Sequence, residues 1–337
     1  MKNILFLNLA VMPYHVVVFK ALIEKGYNCV VYWYGTAPKT TYRAPKITGL
    51  TLVNRFDYKS ASALFDDSKK YNPLVVVCSG WADKGYNKVC AKYRKAGIKT
   101  LASSDTQWRG GRQWLNRILS PLRHKRYFDY ILAAGILQFD YARKLGFDSS
   151  QILLNFFSGD VNEFKKVSIE KKKTSYPKRF LFVGRFVQVK AIDVLLKAWN
   201  EIGFGDGPLK SGFKEHYPDV IYRDFMTQAD LVKEAQNAGC FIISSRFEQW
   251  AFVIQEFAAA GMPIICTRQC GATRHFVLNG YNGYVVDSEN VEALKNAMLK
   301  VISMPDDELV EFSECSRELG MSMTPEIAAN TVLSVIK

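Results

Sequence analysis

Two carboxylates, Glu248 and Glu256, lie within the stretch Ser244-Ser245-Arg246-Phe247-Glu248-Gln249-Trp250-Ala251-Phe252-Val253-Ile254-Gln255-Glu256. The apolar run Cys240-Phe241-Ile242-Ile243 before it predicts a buried strand. The run Phe257-Ala258-Ala259-Ala260-Gly261-Met262-Pro263 after it predicts a helix stopped by glycine and proline. A strand that turns directly into a helix puts its turn at the carboxyl edge of a parallel sheet, where open α/β sheets take their ligands. The N–H groups that start the helix, near Trp250 to Val253, attract an anion. Glu248 falls in the loop and Glu256 about two turns into the helix. A carboxylate and a phosphate on one helix end repel each other, whereas a diol and a phosphate do not, and a glutamate accepts two hydrogen bonds from neighbouring hydroxyls. The pattern therefore suits a nucleotide sugar, with ribose on one glutamate, diphosphate on the helix end and hexose near the other glutamate. Taken alone, the pair reads first as a capping glutamate and a solvated helix glutamate.

The elements needed to position such a site are legible on both sides of it. Strands are expected at 4–8, 29–34, 51–53, 74–78, 100–102, 130–133 and 152–156, with helices between them at 16–25 and, capped by Ser60, at 60–70. Continuous apolar strands separated by helices predict a parallel sheet covered on both faces. The loop after the first strand, Val11-Met12-Pro13-Tyr14-His15, falls at the ligand edge, so Tyr14 and His15 are candidate acceptor contacts; His15 reads first as a cap of the next helix. The loop Ser103-Ser104-Asp105-Thr106-Gln107-Trp108-Arg109 falls at the same edge, and Asp105 is a candidate acceptor-side group or a turn aspartate. Lysine-rich residues 161–178 read as a basic linker. A second strand–helix alternation follows: strand 179–183, loop Gly184-Arg185-Phe186-Val187-Gln188-Val189-Lys190, helix 192–199, turn Gly205-Asp206-Gly207-Pro208, short strand 220–222, and a helix through residue 238 capped by Thr227 with Asp230 as in a capping box. Strands 263–267 and 284–286 and helices 291–304 and 306–319 come next, then a last helix opening on Thr324-Pro325. The domains expected are 1–160, a linker 161–178, 179–320, and a final helix in 321–337 returning towards the first domain.

Composition narrows the class. At 337 residues and 48% hydrophobic, the chain is long enough for two buried cores. No apolar run approaches the ~20 residues of a membrane span. The start, Met1 to Ala10, has a core too short for a signal peptide and reads as a first strand. Seven cysteines, none in a C-x-x-C pair, and four dispersed histidines point to buried thiols in a reducing cytoplasm and to no metal site. The net charge of +13 calls for an anionic partner. Residues 109–126 carry six Lys/Arg and no acid. On a helical wheel, Trp114, Leu115, Ile118, Leu119 and Leu122 share one side, away from Arg112, Asn116, Arg117 and Arg123. That composition fits a helix resting on an anionic membrane, or a core-facing helix with a solvated basic back. Pro121 predicts a break.

With these residues in view, the second half resembles glycosyltransferase family 4, a retaining family of GT-B fold. Phe182-Val183-Gly184-Arg185 with Lys190, Asp193 and Leu195-Leu196 is similar to its first donor loop. Gly205-Asp206-Gly207-Pro208 is similar to its glycine turn, Glu248 and Glu256 to its E-x7-E pair, and Gly261-Met262-Pro263-Ile264-Ile265 with Gly271 and Asn282-Gly283 to its closing block. The first half matches loosely, through Asn155 and Gly159-Asp160. The resemblance implies an α/β chain of two doubly wound, Rossmann-like domains facing a central cleft. It implies donor binding by Gly184, Arg185, Lys190, Arg223, Phe225, Glu248, Trp250, Ala251, Phe252 and Glu256. Arg185 and Lys190 would neutralise the leaving diphosphate without a metal, Glu256 would hold the ribose, Glu248 the sugar hydroxyls, and segment 223–226 would lie near the base. Front-face transfer would need no covalent nucleophile, no cofactor and only a nucleotide-diphosphate sugar such as a UDP- or GDP-sugar as co-substrate. The acceptor would be a glycan or lipid-linked glycan at the inner membrane face, for cell-surface polysaccharide or glycoconjugate synthesis.

Three features depart from that pattern. Ala251 stands where glycine is usual, His275 where an acid is expected, and only residues 200–204 separate the Trp199 helix from Gly205, where a strand normally fits. Two alternatives remain at this point. A nucleotide-sugar 2-epimerase shares the fold but needs further acid/base residues in the cleft. A basic nucleic-acid-binding protein needs a recognisable module, and none is seen. A dinucleotide-dependent dehydrogenase is disfavoured because no G-x-G-x-x-G follows the first strand.

Overall fold

A computed structural model of the chain describes residues 2–35, 42–201, 221 and 223–336. They fall into two compact units, Met1–Gly159 with Met323–Lys337, and Asp160–Ser322.

In the first unit, β1 (Lys2–Asn8), β2 (Tyr27–Trp33), β3 (Leu50–Asn54), β4 (Pro73–Cys78), β5 (Lys99–Ser104), β6 (Tyr130–Ala133) and β7 (Ile152–Leu153) form one parallel sheet in the order β3-β2-β1-β4-β5-β6-β7. Ile4 pairs with Cys29 on one side and Val75 on the other. The sheet is buried on both faces, which is why its strands read as unbroken apolar runs. Ile4 and Phe6 meet Phe19 of the helix Pro13–Glu24 and Ala328 and Val332 of the last helix, Pro325–Leu333. Leu5 and Leu7 meet Tyr86, Val89 and Tyr93 of the helix Lys84–Lys95 on the other face. Each such side chain contributes roughly 1.5–3 kcal/mol through burial. The order reverses between β1 and β4, so the loops after these two strands diverge and leave a crevice at the carboxyl edge. Tyr14 and His15 stand there, and Asp105 follows β5.

In the second unit, the described strands β8 (Phe180–Leu181), β9 (Cys240–Ile243), β10 (Ile264–Thr267) and β11 (Gly283–Val286) are parallel in the order β11-β10-β9-β8. Val194, Leu195 and Ala198 of the helix Ile192–Asn200 and Leu294, Ala297 and Met298 of the helix Val291–Ser303 pack against Ile242, Ile265 and Val286. On the opposite face, Phe257 of the helix Phe252–Ala259 stacks on Phe241, ring centroids 4.3 Å apart.

Several boundaries differ from expectation. β7 stops at Leu153, and Asn155 then takes a left-handed φ of 66° that no strand continues through. The helix expected across Trp114 to Leu122 is two short pieces, Gln113–Ile118 and Ser120–Arg123, parted at Leu119 with Pro121 opening the second. Thr227 caps the helix Gln228–Gln236 through the Asp230 amide, but the Asp230 carboxylate takes the Thr227 hydroxyl and Lys233 instead of closing a capping box. The turn 205–208 and, apart from Ile221, the strand 220–222 lie outside the described residues; Ile221 is not in a strand.

The expected linker 161–178 is a correction. Phe164, Val167, Ile169 and Tyr176 are buried in the second unit. Lys172, 2% exposed, donates to Ala235 O at 2.9 Å and Ala238 O at 2.7 Å, at the carboxyl end of the helix Gln228–Gln236. Burial lowers its pKa to about 8. Apolar residues spaced between the lysines, with stems long enough to bury, anchor a stretch whose composition reads as solvated.

Candidate active site

The turn between β9 and the helix Phe252–Ala259 is stitched to its neighbours by main-chain and hydroxyl hydrogen bonds. Ser244 Oγ donates to Lys190 O and Ala191 O, each at 3.0 Å. Arg246 N donates to Val189 O at 2.8 Å, and the Arg246 guanidinium donates to both Asp193 oxygens at 3.0 and 2.7 Å. Those bonds hold the Asp193 carboxyl below the usual range. Arg246 also pairs with Glu289. The ends of β8 and β9 are thereby locked together, and Ala191 is held in a left-handed turn (φ 49°) that delivers Lys190 beside the glutamate loop.

Lys190 Nζ forms an ion pair with Glu248 Oε1, and Ser245 Oγ donates to the same oxygen at 2.9 Å. Glu248 N donates to Gln269 O at 3.3 Å, and Gly271 N to Glu248 O at 3.2 Å, so the loop after β10 fixes the glutamate from behind. Ala272 N donates to Trp250 O at 2.8 Å, and the buried Trp250 ring lies 5.2 Å from that of His275. Arg185 and Lys190, the two cations expected at the diphosphate, differ in their surroundings. Arg185 is exposed and makes no ion pair among the described residues, whereas Lys190 is already held by Glu248.

Ala251 caps the helix at φ 78°, ψ 75° with no side-chain hydrogen bond to the first turn. An L-residue there costs about 1–2 kcal/mol relative to a right-handed conformation. The conformation a glycine would adopt freely is therefore kept with a methyl group present, and the Ala251 side chain caps none of the first-turn amides.

The helix begins at Phe252, so Glu256 lies one turn in, not two. It is 6% exposed and accepts from Gln228 Nε2 at 2.9 Å and Asp160 N at 3.3 Å. Burial raises its pKa to about 7 against the opposing hydrogen bond from Asp160 N. Arg223 and Arg179 both pair with Glu234, at 3.2 and 2.8 Å, which anchors the segment expected near the base; Phe225 beyond it is exposed.

The residues expected on the acceptor side lie in the first unit. His15 is the third residue of the helix Pro13–Glu24, and its Nδ1 accepts from Met12 N at 3.1 Å, so the capping reading describes what it does. Burial lowers its pKa to about 3. Tyr14 is raised to about 12, by burial and then by Asp105. The protein around Asp105 raises its carboxyl although its edge reaches solvent; Asp105 O accepts from Gln138 Nε2 at 2.9 Å. Trp114, Leu115, Ile118 and Leu122 are 52–70% exposed, so the core-facing reading of that segment fails. Arg117 lies over the Trp114 ring, 5.2 Å from its centroid, while Arg112 and Arg123 are exposed.

Sequence reasoning missed Ser244, Ser245, Arg246, Gln228 and the Asp160 amide. The serines had one visible signal, two hydroxyls at the end of a buried strand. Gln228 had none, because it reaches Glu256 from a different helix. No group of three or more His, Cys, Asp or Glu side chains among the described residues could hold a metal.

Residues 177–304 match the family model for group 1 glycosyl transferases. An uncharacterised glycosyltransferase of Methanocaldococcus jannaschii is 29% identical over 137 residues, 36% of this chain and 38% of the relative. A GDP-mannose-dependent alpha-mannosyltransferase of Corynebacterium glutamicum is 30% identical over 111 residues, 32% of this chain and 27% of the relative. The matches thus span well under half of these curated relatives. Among solved structures, sucrose-phosphate synthase from Thermosynechococcus elongatus superposes with a TM-score of 0.74 at 14% identity, covering 99% of this chain and 98% of that one. Anabaena HepE in complex with UDP gives 0.73 at 14%, covering 99% of both. The chain has the α/β fold of the GT-B glycosyltransferases, and its second unit carries the group 1 glycosyltransferase pattern.

Proposed function

We propose that this protein is a retaining, metal-independent glycosyltransferase of family 4 that moves a hexose from a nucleotide-diphosphate sugar to a glycan or lipid-linked acceptor. The observation that carries the reading is the Lys190–Glu248 ion pair at the turn between β9 and the helix Phe252–Ala259, with the buried Glu256 one turn into that helix. A diphosphate takes Arg185, Lys190 and the first-turn amides. Arg185 and Lys190 then neutralise the charge that grows on the leaving nucleotide. Glu248, fixed by Ser245 and the loop after β10, faces the sugar hydroxyls and holds Lys190 in place. Glu256 accepts the ribose diol in its ionised form. The amides near Trp250, Ala251 and Phe252 approach the diphosphate and sugar, and Arg223 and Phe225 flank the base. Asp105, Tyr14 and His15 serve the acceptor, with no covalent enzyme nucleophile.

UDP-sugars and GDP-sugars are both candidate donors, in line with the UDP complex of HepE and the GDP-mannose dependence of the Corynebacterium relative. The exposed face at Trp114, Leu115, Ile118 and Leu122, with Arg112, Arg117 and Arg123, supports a peripheral seat on an anionic membrane at the cytoplasmic face. That setting suits synthesis of a cell-surface polysaccharide or glycoconjugate. The test is a screen of nucleotide sugars for thermal stabilisation and for slow donor hydrolysis, with and without a chelator. One class of nucleotide sugar should raise Tm and be hydrolysed, with turnover preserved in the chelator. Stabilisation by none of them, or turnover abolished by the chelator, contradicts the reading.

A further inference from the structure

The helix Gln228–Gln236 is fastened at both ends by one stretch of chain that precedes it. At its carboxyl end, Lys172 Nζ donates to Ala235 O and Ala238 O. The Gln236 side chain there exchanges two hydrogen bonds with the Ser168 backbone, accepting from Ser168 N at 2.7 Å and donating to Ser168 O at 3.1 Å. At its amino end, Thr227 caps through the Asp230 amide, and the first residue, Gln228, reaches out of the helix. Gln228 Nε2 donates to Glu256 Oε1 at 2.9 Å, and Asp160 N, at the start of the fastening stretch, donates to the same oxygen at 3.3 Å. Residues 160–172 thus register this helix against the helix Phe252–Ala259 at one oxygen atom.

The direction of the Gln228 amide follows from that shared oxygen. Glu256 Oε1 already takes a backbone N–H, so it acts as an acceptor, and the amide meets it with Nε2 and not Oε1. Gln228 Oε1 is buried and has no partner among the described residues. A bare buried carbonyl oxygen is unfavourable, so what holds the side chain here is the bond its other end makes to Glu256. Among the described residues no cation pairs with Glu256, and its own helix carries no other charged residue. The charges on neighbouring elements are engaged elsewhere or exposed. Arg317 of the helix Asp306–Met321 turns to Val167 O, Ala259 O and Ala260 O. Glu163 pairs with Lys166, Asp230 with Lys233, and Glu234 with Arg179 and Arg223. Arg274 is exposed, and His275 lies beside Trp250. Burial, and after it the Asp160 carboxylate, push the Glu256 carboxyl up to about 7 against the hydrogen bonds from Asp160 N and Gln228.

We propose that Gln228 is a positioning residue for donor binding, whose N–H holds the Glu256 carboxylate in place and in its ionised form for the ribose diol. A protonated carboxyl offers the diol one acceptor fewer. The role in donor binding rests on the reading of Glu256 as the ribose ligand; the link between Gln228 and Glu256 rests on their hydrogen bond alone.

The test reads Glu256 directly, by 13C NMR of the side-chain carboxyl in the full chain labelled at glutamate, assigned with Glu256→Gln and titrated from about pH 5 to pH 9 without nucleotide. Three replacements grade what faces the carboxylate. Gln228→Met keeps the length and removes the donor, Gln228→Lys brings a cation, and Gln228→Glu brings a second carboxylate. The Glu256 midpoint, about 7 in wild type, should rise by about one unit in Gln228→Met, the size of a hydrogen bond to a charged group. It should fall by about one unit or more in Gln228→Lys, and the carboxyl pair in Gln228→Glu should keep one proton to a higher pH than wild type does. Binding of UDP-glucose and GDP-mannose should follow, since neither has a terminal phosphate to titrate in this range. Gln228→Met should bind about fivefold more weakly than wild type at pH 7 and within about twofold at pH 8.5, the ratios of ionised Glu256. Lys172, lowered to about 8 by burial, titrates in the same window on the same helix, and every variant retains it. An unmoved Glu256 midpoint in both Gln228→Met and Gln228→Lys overturns the proposal. So does an equal loss of binding at both pH values, the mark of a merely structural glutamine. Should one variant not fold, the other two decide. Failure of wild type to bind either nucleotide sugar overturns the donor reading and leaves the midpoints to decide the link between Gln228 and Glu256, so the two failures are told apart.

Discussion

At the scale of single residues, the molecule turns on how it treats its two glutamates. Glu248 sits against a lysine and a serine hydroxyl, whereas Glu256 is buried with only neutral donors against it. Its folded pKa of about 7 lies above the unfolded value of roughly 4.3. Between those values the folded state binds more protons than the unfolded one, so this group's contribution falls as pH rises through that window and is lowest above about pH 7. Glu256→Gln keeps an acceptor oxygen for Gln228 and Asp160 and removes the buried charge. The variant should be more stable than wild type by about 1–3 kcal/mol at pH 8, with the difference vanishing near pH 4, as read by chemical denaturation. Donor binding should move the other way. A neutral amide accepts the ribose diol less well than a carboxylate, so donor KM should rise at least tenfold in the variant. In wild type, donor affinity should strengthen as pH passes about 7. A variant less stable than wild type at pH 8 sinks the buried-charge account. The identities and spacing of Glu248 and Glu256 were legible in the sequence, because one strand–turn–helix unit carries both. Their environments were not: the Gln228 and Asp160 donors to Glu256 come from elements remote in sequence.

At the scale of elements, the helix Phe252–Ala259 must be held rigidly to keep Glu256 and the first-turn amides in register. It crosses the helix Asp306–Met321 at Gly320, where an added Cβ would collide with the Ala259 backbone, and Gln255 Nε2 donates to Gly320 O at 3.3 Å. Arg317 braces the same helix end by donating to Ala259 O and Ala260 O at 3.2 and 3.0 Å. Gly320→Ala should therefore cost about 1–3 kcal/mol by forcing the helices apart, seen as a lowered Tm. It should also raise donor KM, whereas an alanine at the open position Gly110 would report only local turn strain. Unchanged stability in Gly320→Ala contradicts the close crossing. The strands were largely legible because both sheets are covered on both faces, which turns each strand into an apolar run, as at Val75 to Cys78 and Cys240 to Ile243. The errors have local causes. The lysines of 161–178 hid the apolar anchors Phe164, Val167, Ile169 and Tyr176. A left-handed Asn155 ended β7 early, and Pro121 with its neighbours parted one expected helix into two.

At the scale of the whole molecule, charge and exposed apolar surface coincide. Residues 109–126 combine six Lys/Arg with the exposed Trp114, Leu115, Ile118 and Leu122, and no described helix is long and apolar enough to cross a bilayer. Anionic but not neutral vesicles should co-sediment the protein, with each cation near the surface adding about 1 kcal/mol. Binding should weaken with salt, and weaken further when Arg117, Arg123 and Arg126 become Ser. Absence of binding to anionic vesicles at low salt would point to a soluble acceptor. The central claim is that the second unit binds and activates a nucleotide-diphosphate sugar through Arg185 and Lys190. The measurement that tests it most directly is transfer or hydrolysis of the donor found by screening, compared between wild type and the Arg185→Ala, Lys190→Ala double variant, with product anomers read by NMR. The account predicts retained anomeric configuration in wild type and at least a tenfold loss for each charge removed, the size of a charge-assisted contact of roughly 1.5–3 kcal/mol. Near-normal turnover by the folded double variant, or an inverted product, would contradict it.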